Sequence, residues 1–289
     1  MTVARVIDSH QHFWTDPTIE KYPWMTGELA GLRRSFGPDD LQPLLAANGV
    51  DGSIVVQSRA SLEESRQLLE IAGDSDFVVG VVAWIDLAAA EVKDQLDALR
   101  ASDNARHLVG IRHQVHDEPD PQWLLRAEVQ RGLRAVEAAG LVYELLVKEP
   151  QLPAALATAR AFPGLSFVID HIAKPRIADG PADPGWEEGM APFSDLANVA
   201  CKVSGMVTEA NWKTWQAEAL APYVQKVLRW FGSDRLVFGS DWPVCLLASS
   251  YERVVATTRE LLADLPPAAQ NAVFGANAVR LYRLEESLR

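Results

Sequence analysis

The amino-acid sequence predicts a (β/α)8 barrel that forms one domain over residues 1–289. Apolar runs rich in Val and Ile alternate with amphipathic stretches along the whole chain, which is the pattern of repeated βα units. Eight such units within about 250 residues match the size of this barrel. A doubly wound open sheet is the alternative, but it usually has fewer strands and often a phosphate-binding loop, and no GxGxxG or P-loop motif is present.

The predicted strands are apolar on both faces, as strands of a buried parallel sheet must be. The run at 77–85 is the clearest example. The predicted strands lie near residues 5–10, 52–58, 77–85, 107–114, 141–147, 165–171, 199–204 and 235–240.

The segments between these strands carry helix start and stop signals. Ser61 followed by Glu64 is a capping box, and Gly73 can end the same helix. Gly140 and Gly232 follow two later helices in the same way. The predicted helices cover residues 61–72, 88–101, 127–139, 153–162, 220–231 and 250–263.

Two segments fall outside the βα repeat. Residues 15–38 contain Trp24 and several glycines and are too long for a plain connection, so we expect them to form a lid or wall of a site. Residues 176–186, rich in Pro and Gly, form a second such loop after the sixth strand.

Composition and charge restrict the partners and the compartment. The chain is 48% hydrophobic, as globular proteins are, and its formal net charge is -12. No run of Lys and Arg forms a basic stripe, so we expect neither nucleic acid nor a membrane surface as a partner. The apolar run at 77–85 is too short to span a bilayer, the N-terminus leaves no room for a signal peptide, and the two cysteines have no CxxC spacing. We therefore expect a cytoplasmic protein.

The first predicted strand ends in two histidines one residue apart. Side chains at i and i+2 on a strand point to the same face, so His10 and His12 project together, with Asp8 below them. Two imidazoles on a rigid backbone make half of a metal site. Two polar residues at a strand end, without a metal, are the alternative.

Polar side chains also end the other predicted strands. In barrels of this type the active site forms where the strands end, so this common register indicates a site more strongly than any single motif. The residues are Gln57, Arg59, Trp84, Asp86, Arg112, His113, Glu144, Lys148, Asp170, His171, Lys174, Lys202, Ser204 and Asp241.

This pattern resembles the amidohydrolase superfamily, of the amidohydrolase 2 type. The resemblance rests on His10-x-His12, on His171 after the sixth strand and on Gly-Ser-Asp-Trp-Pro at 239–243, and it extends to a tail at 274–282 that looks like the family's closing helix. Within the family, His-Gln-His-Phe-Trp at 10–14 and Asp-His-Ile-Ala-Lys-Pro at 170–175 resemble the branch of small-sugar lactonases. That branch includes proteins similar to L-fuconolactone, L-rhamnonolactone and dicarboxylate lactone hydrolases.

The resemblance implies a metal site, but not a binuclear one. Binuclear members carry a lysine ending strand four and a histidine ending strand five, whereas this sequence has Arg112-His113 and Glu144 there. We expect one divalent cation, zinc, held by His10, His12 and Asp241 with a position open for water. Metal-independent catalysis is the alternative, since some relatives in this branch look metal-independent.

Asp241 and His171 are the predicted catalytic residues. Asp241 is placed to take a proton from the attacking water and pass it to the leaving alkoxide. His171 is placed to complete the metal shell or to hydrogen-bond the oxyanion. The predicted substrate-binding residues are Trp24, Gln57, Arg59, Arg112, His113, Glu144 and Lys174.

The activity that the resemblance implies is hydrolysis of an aldonolactone, such as L-fuconolactone, in sugar-acid catabolism. The alternatives are a decarboxylase of an unsaturated carboxylic acid, a dicarboxylate (pyrone-type) lactonase, and a barrel that binds sugar without catalysis. Arg59 and Arg112 favour a carboxylate substrate. We nevertheless expect a neutral, hydroxylated lactone, because a net charge of -12 does not attract a dianion and Glu144 could neutralise one arginine.

Overall fold

The computed structural model describes residues 5–285 and 287, and its strands form one eight-stranded parallel sheet in the order of the chain. Every strand pairs with the next one along the sequence. The strands are β1 (Ile7–Gln11), β2 (Gly52–Val56), β3 (Val78–Ala83), β4 (Leu108–His113), β5 (Val142–Leu145), β6 (Phe167–Ile169), β7 (Val199–Val203) and β8 (Leu236–Phe238).

The sheet closes on itself between β8 and β1. The backbone N–H of Asp241 donates to the carbonyl of His10 at 2.8 Å, and the N–H of His12 donates to the carbonyl of Trp242 at 2.7 Å. Closure pairs the two edge strands, as in other barrels. The predicted (β/α)8 barrel is confirmed, and its closure brings the ends of β1 and β8 side by side.

Helices lie between the strands and after the last one. Half of the capping box predicted at Ser61 is present: its hydroxyl accepts from the N–H of Glu64, whereas the Glu64 carboxylate accepts from the N–H groups of Ser58 and Arg59. The helix also continues past Gly73, where its end was predicted. The α-helices are α1 (Pro38–Asn48), α2 (Leu62–Asp74), α3 (Val92–Arg100), α4 (Ala127–Ala138), α5 (Leu152–Ala161), α6 (Pro184–Met190), α7 (Met206–Glu209), α8 (Ala217–Phe231), α9 (Tyr251–Leu261), α10 (Pro267–Asn271) and α11 (Asn277–Tyr282).

The second predicted loop, residues 176–186, is partly helical. α6 begins inside it, with Pro184 in the first turn, where the missing N–H of proline costs no hydrogen bond. Trp186 is fully buried and its indole N–H donates to the carbonyl of Ile172 at 2.6 Å. This contact ties the loop to the turn that follows β6.

The closing helix predicted at the C-terminus covers the barrel at the end where the strands begin. Apolar side chains from all eight strands fill the interior, branched in every strand except β7, which contributes Ala200, and Ala278, Tyr282 and Leu284 pack onto them. The two ends of the barrel therefore differ: one is sealed by apolar packing, and polar side chains collect at the other. Among the described residues, no helix has both the length and the apolar character needed to cross a membrane.

Candidate active site

The ends of β1 and β8 bring two histidines and an aspartate together. His10 and His12 project from β1 with their Nε2 atoms 3.2 Å apart. Oδ1 of Asp241 lies 3.5 Å from Nε2 of His12 and 3.9 Å from Nε2 of His10. All three residues are at most 5% exposed, so this polar cluster has little contact with bulk water.

A hydrogen bond from the imidazole of His12 to the backbone of β2 fixes the orientation of the ring. Its Nδ1–H donates to the carbonyl of Val56 at 2.7 Å, which leaves the lone pair of Nε2 directed toward Asp241. A histidine that binds a metal is commonly held in this way by its second ring nitrogen. The ring is therefore preorganised as a ligand.

The backbone at Asp241 has φ 59°, a left-handed conformation that residues other than glycine rarely adopt. The turn is stabilised by Asp8, whose carboxylate accepts from the N–H of Ser240 at 2.8 Å and from the hydroxyl of Tyr251 at 3.1 Å. Burial raises the pKa of Asp8 to about 6. Asp8 therefore has a structural role, because it stabilises the turn that carries Asp241.

A second left-handed turn carries His171. Residues 171–174 all have positive φ, between 48° and 58°, although none is glycine. Such strain is typical of functional sites, where the surrounding contacts hold the chain in place. The turn places Nε2 of His171 3.8 Å from Oδ1 of Asp241, while Nδ1 lies 2.9 Å from the hydroxyl of Ser204.

Two overlapping groups of possible metal ligands therefore lie at this end of the barrel: one is His10, His12 and Asp241, and the other is His10, Asp170 and His171. Within the first group the ligand atoms lie within 4.8 Å of one another, the spacing that a single ion requires. Burial holds the pKa of His10 and of His171 well below the usual value, which favours the neutral form of the ring that binding of a cation requires. This donor set fits one divalent ion of the zinc type.

Charged side chains lie buried directly beneath the cluster. Nη1 of Arg112 donates to Oδ2 of Asp170 at 3.0 Å and lies 3.2 Å from Nε2 of His10. The Nζ of Lys202 lies 2.5 Å from Oε1 of Glu144 and 3.2 Å from Oδ1 of Asp170. The two cations balance the two carboxylates, as burial of charge in a protein interior requires.

A cavity of ≈ 360 Å³ opens above the cluster. Of the residues predicted for the site, His12, Trp24, Arg112, His171, Lys174 and Asp241 line it. Nζ of Lys174 binds Glu209 at 2.6 Å at its rim. The remaining wall is formed by Leu29, Ser58, Gln114, His116, Asp117, Leu146, Lys148, Thr208, Glu209, Trp212, Val244 and Leu247.

Arg59 and His113 line a neighbouring cavity that shares Trp24 and Ser58 with the first. Both side chains have protein partners. Nε of Arg59 lies 3.8 Å from Glu64. His113 accepts from the indole N–H of Trp84 at 3.1 Å and lies 2.7 Å from Glu118, so both of its ring nitrogens are engaged.

Gln57 and Glu144 do not reach the cavity, contrary to their predicted contact with substrate. Both are fully buried in the barrel. Nε2 of Gln57 donates to the carbonyl of Arg112 at 3.4 Å, and Glu144 is held by Lys202 and by the hydroxyl of Tyr282 at 2.6 Å. Glu144 is paired with Arg112 in strand register but does not neutralise it, since Arg112 binds Asp170.

Several wall residues were not among the predicted site residues. Thr208, Glu209 and Trp212 come from the segment after β7, and Leu29 from the loop after β1. Their position in the sequence could have predicted them, because every segment that follows a strand of a barrel contributes to the face on which the strands end. Nothing in their residue types alone distinguishes them.

The fold and this donor set define an α/β-barrel enzyme with a candidate metal centre at the carboxyl ends of its strands. A family model described as Amidohydrolase matches residues 7–284, and the chain belongs to this amidohydrolase 2 family. The family predicted from the sequence is confirmed.

Similar proteins cover almost the whole chain. The chain is 39% identical over 283 residues to an L-fucono-1,5-lactonase of Burkholderia ambifaria, covering 96% of each protein. It is 37% identical over 290 residues to an L-fucono-1,5-lactonase of Burkholderia multivorans, covering 97% of this chain and 96% of the relative. A solved amidohydrolase of Burkholderia multivorans with bound zinc has a TM-score of 0.91 and 36% identity, with 96% of this chain and 99% of that chain covered.

Proposed function

We propose that the protein hydrolyses the ester bond of a sugar lactone, such as L-fucono-1,5-lactone, to the sugar acid. The observation that carries the proposal is the group of His10, His12 and Asp241, of which His12 and Asp241 line a cavity together with His171, in a chain similar over 96–97% of its length to two L-fucono-1,5-lactonases. A cavity of ≈ 360 Å³ is of a size suited to one sugar ring.

The proposed cofactor is one zinc ion held by His10, His12 and Asp241, with His171 as a further ligand. When bound, such an ion would act as a Lewis acid on the lactone carbonyl and would lower the pKa of the attacking water. The zinc bound by the solved relative supports this choice of metal.

Asp241 is the proposed proton carrier. It is the acidic side chain of the cluster that also lines the cavity, so it can accept the proton of the attacking water and return it to the alkoxide that leaves. Arg112 lines the same cavity, and its positive charge would stabilise the oxygen that becomes negative in the tetrahedral intermediate.

The proposed substrate is neutral. A dicarboxylate lactonase or a decarboxylase needs a free arginine clamp, but Arg112 is bound to Asp170 and Arg59 lies beside Glu64 in the neighbouring cavity. At the rim, Lys174 is paired with Glu209, and the rings of Trp24 and Trp212 offer apolar faces to a sugar.

A screen of purified protein against a stereochemically complete panel of lactones tests the proposal. Proton release with a neutral sugar lactone, followed with a pH indicator, is the expected result. Release of carbon dioxide from unsaturated carboxylic acids would favour a decarboxylase instead. Saturable sugar binding without turnover would favour a barrel that binds sugar without catalysis.

A further inference from the structure

The wall of the cavity contains an ion pair between Lys174 and Glu209 to which the proposed reaction assigns no chemical step. Nζ of Lys174 lies 2.6 Å from Oε1 of Glu209, and the two side chains are 17% and 22% exposed. Ion pairs in contact with solvent contribute little to stability, because water screens the attraction and two long side chains lose rotamer freedom. The position of this pair in the cavity wall is therefore better explained by ligand binding than by folding.

Two turns from adjacent strands position the pair. Lys174 follows β6 in a left-handed conformation with φ 50°, and its N–H donates to the carbonyl of His171 at 2.8 Å. Glu209 ends α7, which begins after Gly205. A Cβ at Gly205 would lie 2.4 Å from Nδ1 of His171, so the two turns pack together only because this residue is glycine. The pair therefore has a defined place relative to His171.

Both side chains of the pair keep hydrogen-bonding capacity for a ligand. The ammonium of Lys174 has three N–H groups, and among the described residues Glu209 is its one acceptor. In the same part of the chain, Oε2 of Glu209 receives no donor, since Lys174 binds Oε1. The pair can thus offer two donors and one carboxylate oxygen to a ligand. Sugar hydroxyls match this combination, because each of them both donates and accepts.

Glu209 also sets the charge of this wall. The charged side chains that line the cavity are three cations and three carboxylates: Arg112, Lys148, Lys174, Asp117, Glu209 and Asp241. Without Glu209, the ammonium of Lys174 would have no counter-ion among the described residues. An unpaired ammonium attracts the carboxylate of a ligand, whereas a neutral pair does so much less.

We propose that Glu209 is a specificity-determining residue, which accepts a hydrogen bond from a hydroxyl of the lactone and, by pairing with Lys174, disfavours lactones that carry a carboxylate. The inference rests on the proposed function, in which the lactone occupies this cavity. Trp212, three residues after Glu209, lines the same wall, and its indole N–H donates to the carbonyl of Thr208 at 2.8 Å. Stacking on this ring leaves the hydroxyls at the edge of a sugar available to polar side chains.

Kinetics of Glu209→Ala on three kinds of lactone test the inference: the best hydroxylated lactone of the screen, its monodeoxy analogues, and a dicarboxylate lactone. On the hydroxylated lactone, kcat/KM is expected to fall by about 10- to 100-fold, the usual effect of a hydrogen bond to a charged group. On the analogue that lacks the bound hydroxyl, the variant should differ from the wild type by about twofold at most, because the two changes remove the same contact. On the dicarboxylate lactone, kcat/KM should rise.

Two further variants serve as comparisons. Glu209→Gln keeps an acceptor oxygen but no charge, so it should lose less activity on the hydroxylated lactone and still gain activity on the dicarboxylate. The matched control is Glu187→Ala, which removes the carboxylate of another Lys–Glu pair, formed with Lys226 at 2.6 Å and outside the cavity wall. The control is expected to match the wild type on every lactone.

An equal loss on the hydroxylated lactone and on all its deoxy analogues would overturn the inference, since it would show that the pair only holds the two turns together. Wild-type kinetics in Glu209→Ala would overturn it as well. If Glu209→Ala does not fold, Glu209→Gln decides by the same criteria.

Calorimetric titration with L-fucono-1,5-lactam, which has no ester bond, separates this inference from the proposed function. If the wild type hydrolyses no lactone but binds the lactam about tenfold or more tightly than Glu209→Ala does, the proposed function alone is overturned. If no lactone is hydrolysed and the two proteins bind the lactam equally, or neither binds it, both proposals are overturned.

Discussion

At the scale of single residues, Asp241 is the side chain on which the proposed chemistry depends. Its Oδ1 lies within 3.9 Å of three imidazole nitrogens, and it lines the cavity. Its left-handed backbone is held by a hydrogen bond to His10 and by the turn that Asp8 supports. The backbone that carries this carboxylate is therefore fixed against β1.

Asp241→Asn is expected to lower kcat by about 10²- to 10⁴-fold, the usual contribution of a general acid–base residue. The amide keeps the shape of the side chain but cannot take a proton from water, so the melting temperature should stay close to that of the wild type. Steady-state kinetics and thermal unfolding of the two proteins check this. A variant with near-normal kcat would remove Asp241 from the mechanism.

The number of bound ions is also set by individual residues. A second possible ligand group consists of His10, Asp170 and His171, but Lys202 and Arg112 contact its carboxylate at 3.2 Å and 3.0 Å. Two cations in this position disfavour a further metal ion by repulsion. We therefore expect at most one tightly held divalent ion per chain by elemental analysis after dialysis, and two ions per chain would contradict this.

His113 gives a prediction for the pH dependence of stability. Burial lowers the pKa of His113, and it stacks on Trp123 with ring centroids 4.2 Å apart. Below the pKa of about 6.5 of a free histidine, the unfolded chain takes up a proton that the folded chain resists. The contribution of this residue to stability is therefore present above that pH and is lost as the pH falls.

His113→Gln should consequently reduce the fall in the free energy of unfolding between pH 7 and pH 5. The reduction is at most about 1.4 kcal/mol per pH unit, the value for one proton. Urea unfolding of both proteins across this range measures it. Identical slopes for wild type and variant would show that His113 is protonated equally in the folded and unfolded states.

The sequence placed both the histidines and the charged residues Arg112, Glu144, Asp170 and Lys202 at the strand ends, but it did not predict that these charges are buried beneath His10. The spacing of His10 and His12 is visible because a strand has a period of two residues. Glu144 and Gln57 were placed at the mouth because every strand of a closed barrel is buried on both faces, so sequence alone does not distinguish an inward residue deep in the barrel from one at its rim. The left-handed turn at 171–174 lacks glycine, which is the usual signal.

At the scale of elements, the long segment after β1 contributes to the cavity wall. Its two ends are joined by Trp14 and Phe36, which exchange backbone hydrogen bonds of 3.0 Å and 2.9 Å. Trp14 is 3% exposed, whereas Trp24 and Leu29 from the same segment reach the cavity. Packing and cavity lining thus involve different residues of this segment, and its function as a lid remains a prediction.

Trp24→Ala is expected to raise KM about fivefold to tenfold, roughly 1–1.4 kcal/mol of binding, because a ring face is lost from the cavity wall. The change in stability should be small, since the ring is only half-buried. Trp14→Ala is the matched comparison and should lower the free energy of unfolding by about 3–5 kcal/mol. Equal losses of stability in the two variants would contradict this division of roles.

The helices show how far local signals extend. The capping signal at Ser61 predicted the start of α2, because an N-cap depends only on the types of residues that are close together in the sequence. α6 was missed inside a segment rich in Pro and Gly, where the helix is short and is stabilised mainly by the burial of Trp186 and Met190. Tertiary packing of this kind overrides local propensity.

At the scale of the whole molecule, the barrel separates packing from chemistry. α11 and the apolar interior seal one end, while the strand ends and following segments form the cavity at the other. The sequence predicted this architecture well because it follows from a regular alternation of buried strands and amphipathic helices. The substrate is harder to predict, because it depends on wall residues from several segments that no periodic pattern connects.

The most direct test of the central claim is kcat/KM on a neutral sugar lactone and on a dicarboxylate lactone, measured with the same protein in one buffer. With the arginines engaged by carboxylates and a net charge of -12, the neutral lactone should be preferred by about a hundredfold or more, which corresponds to roughly 3 kcal/mol at the transition state. A preference for the dicarboxylate lactone would contradict the account and would show that Arg59 and Arg112 define the pocket.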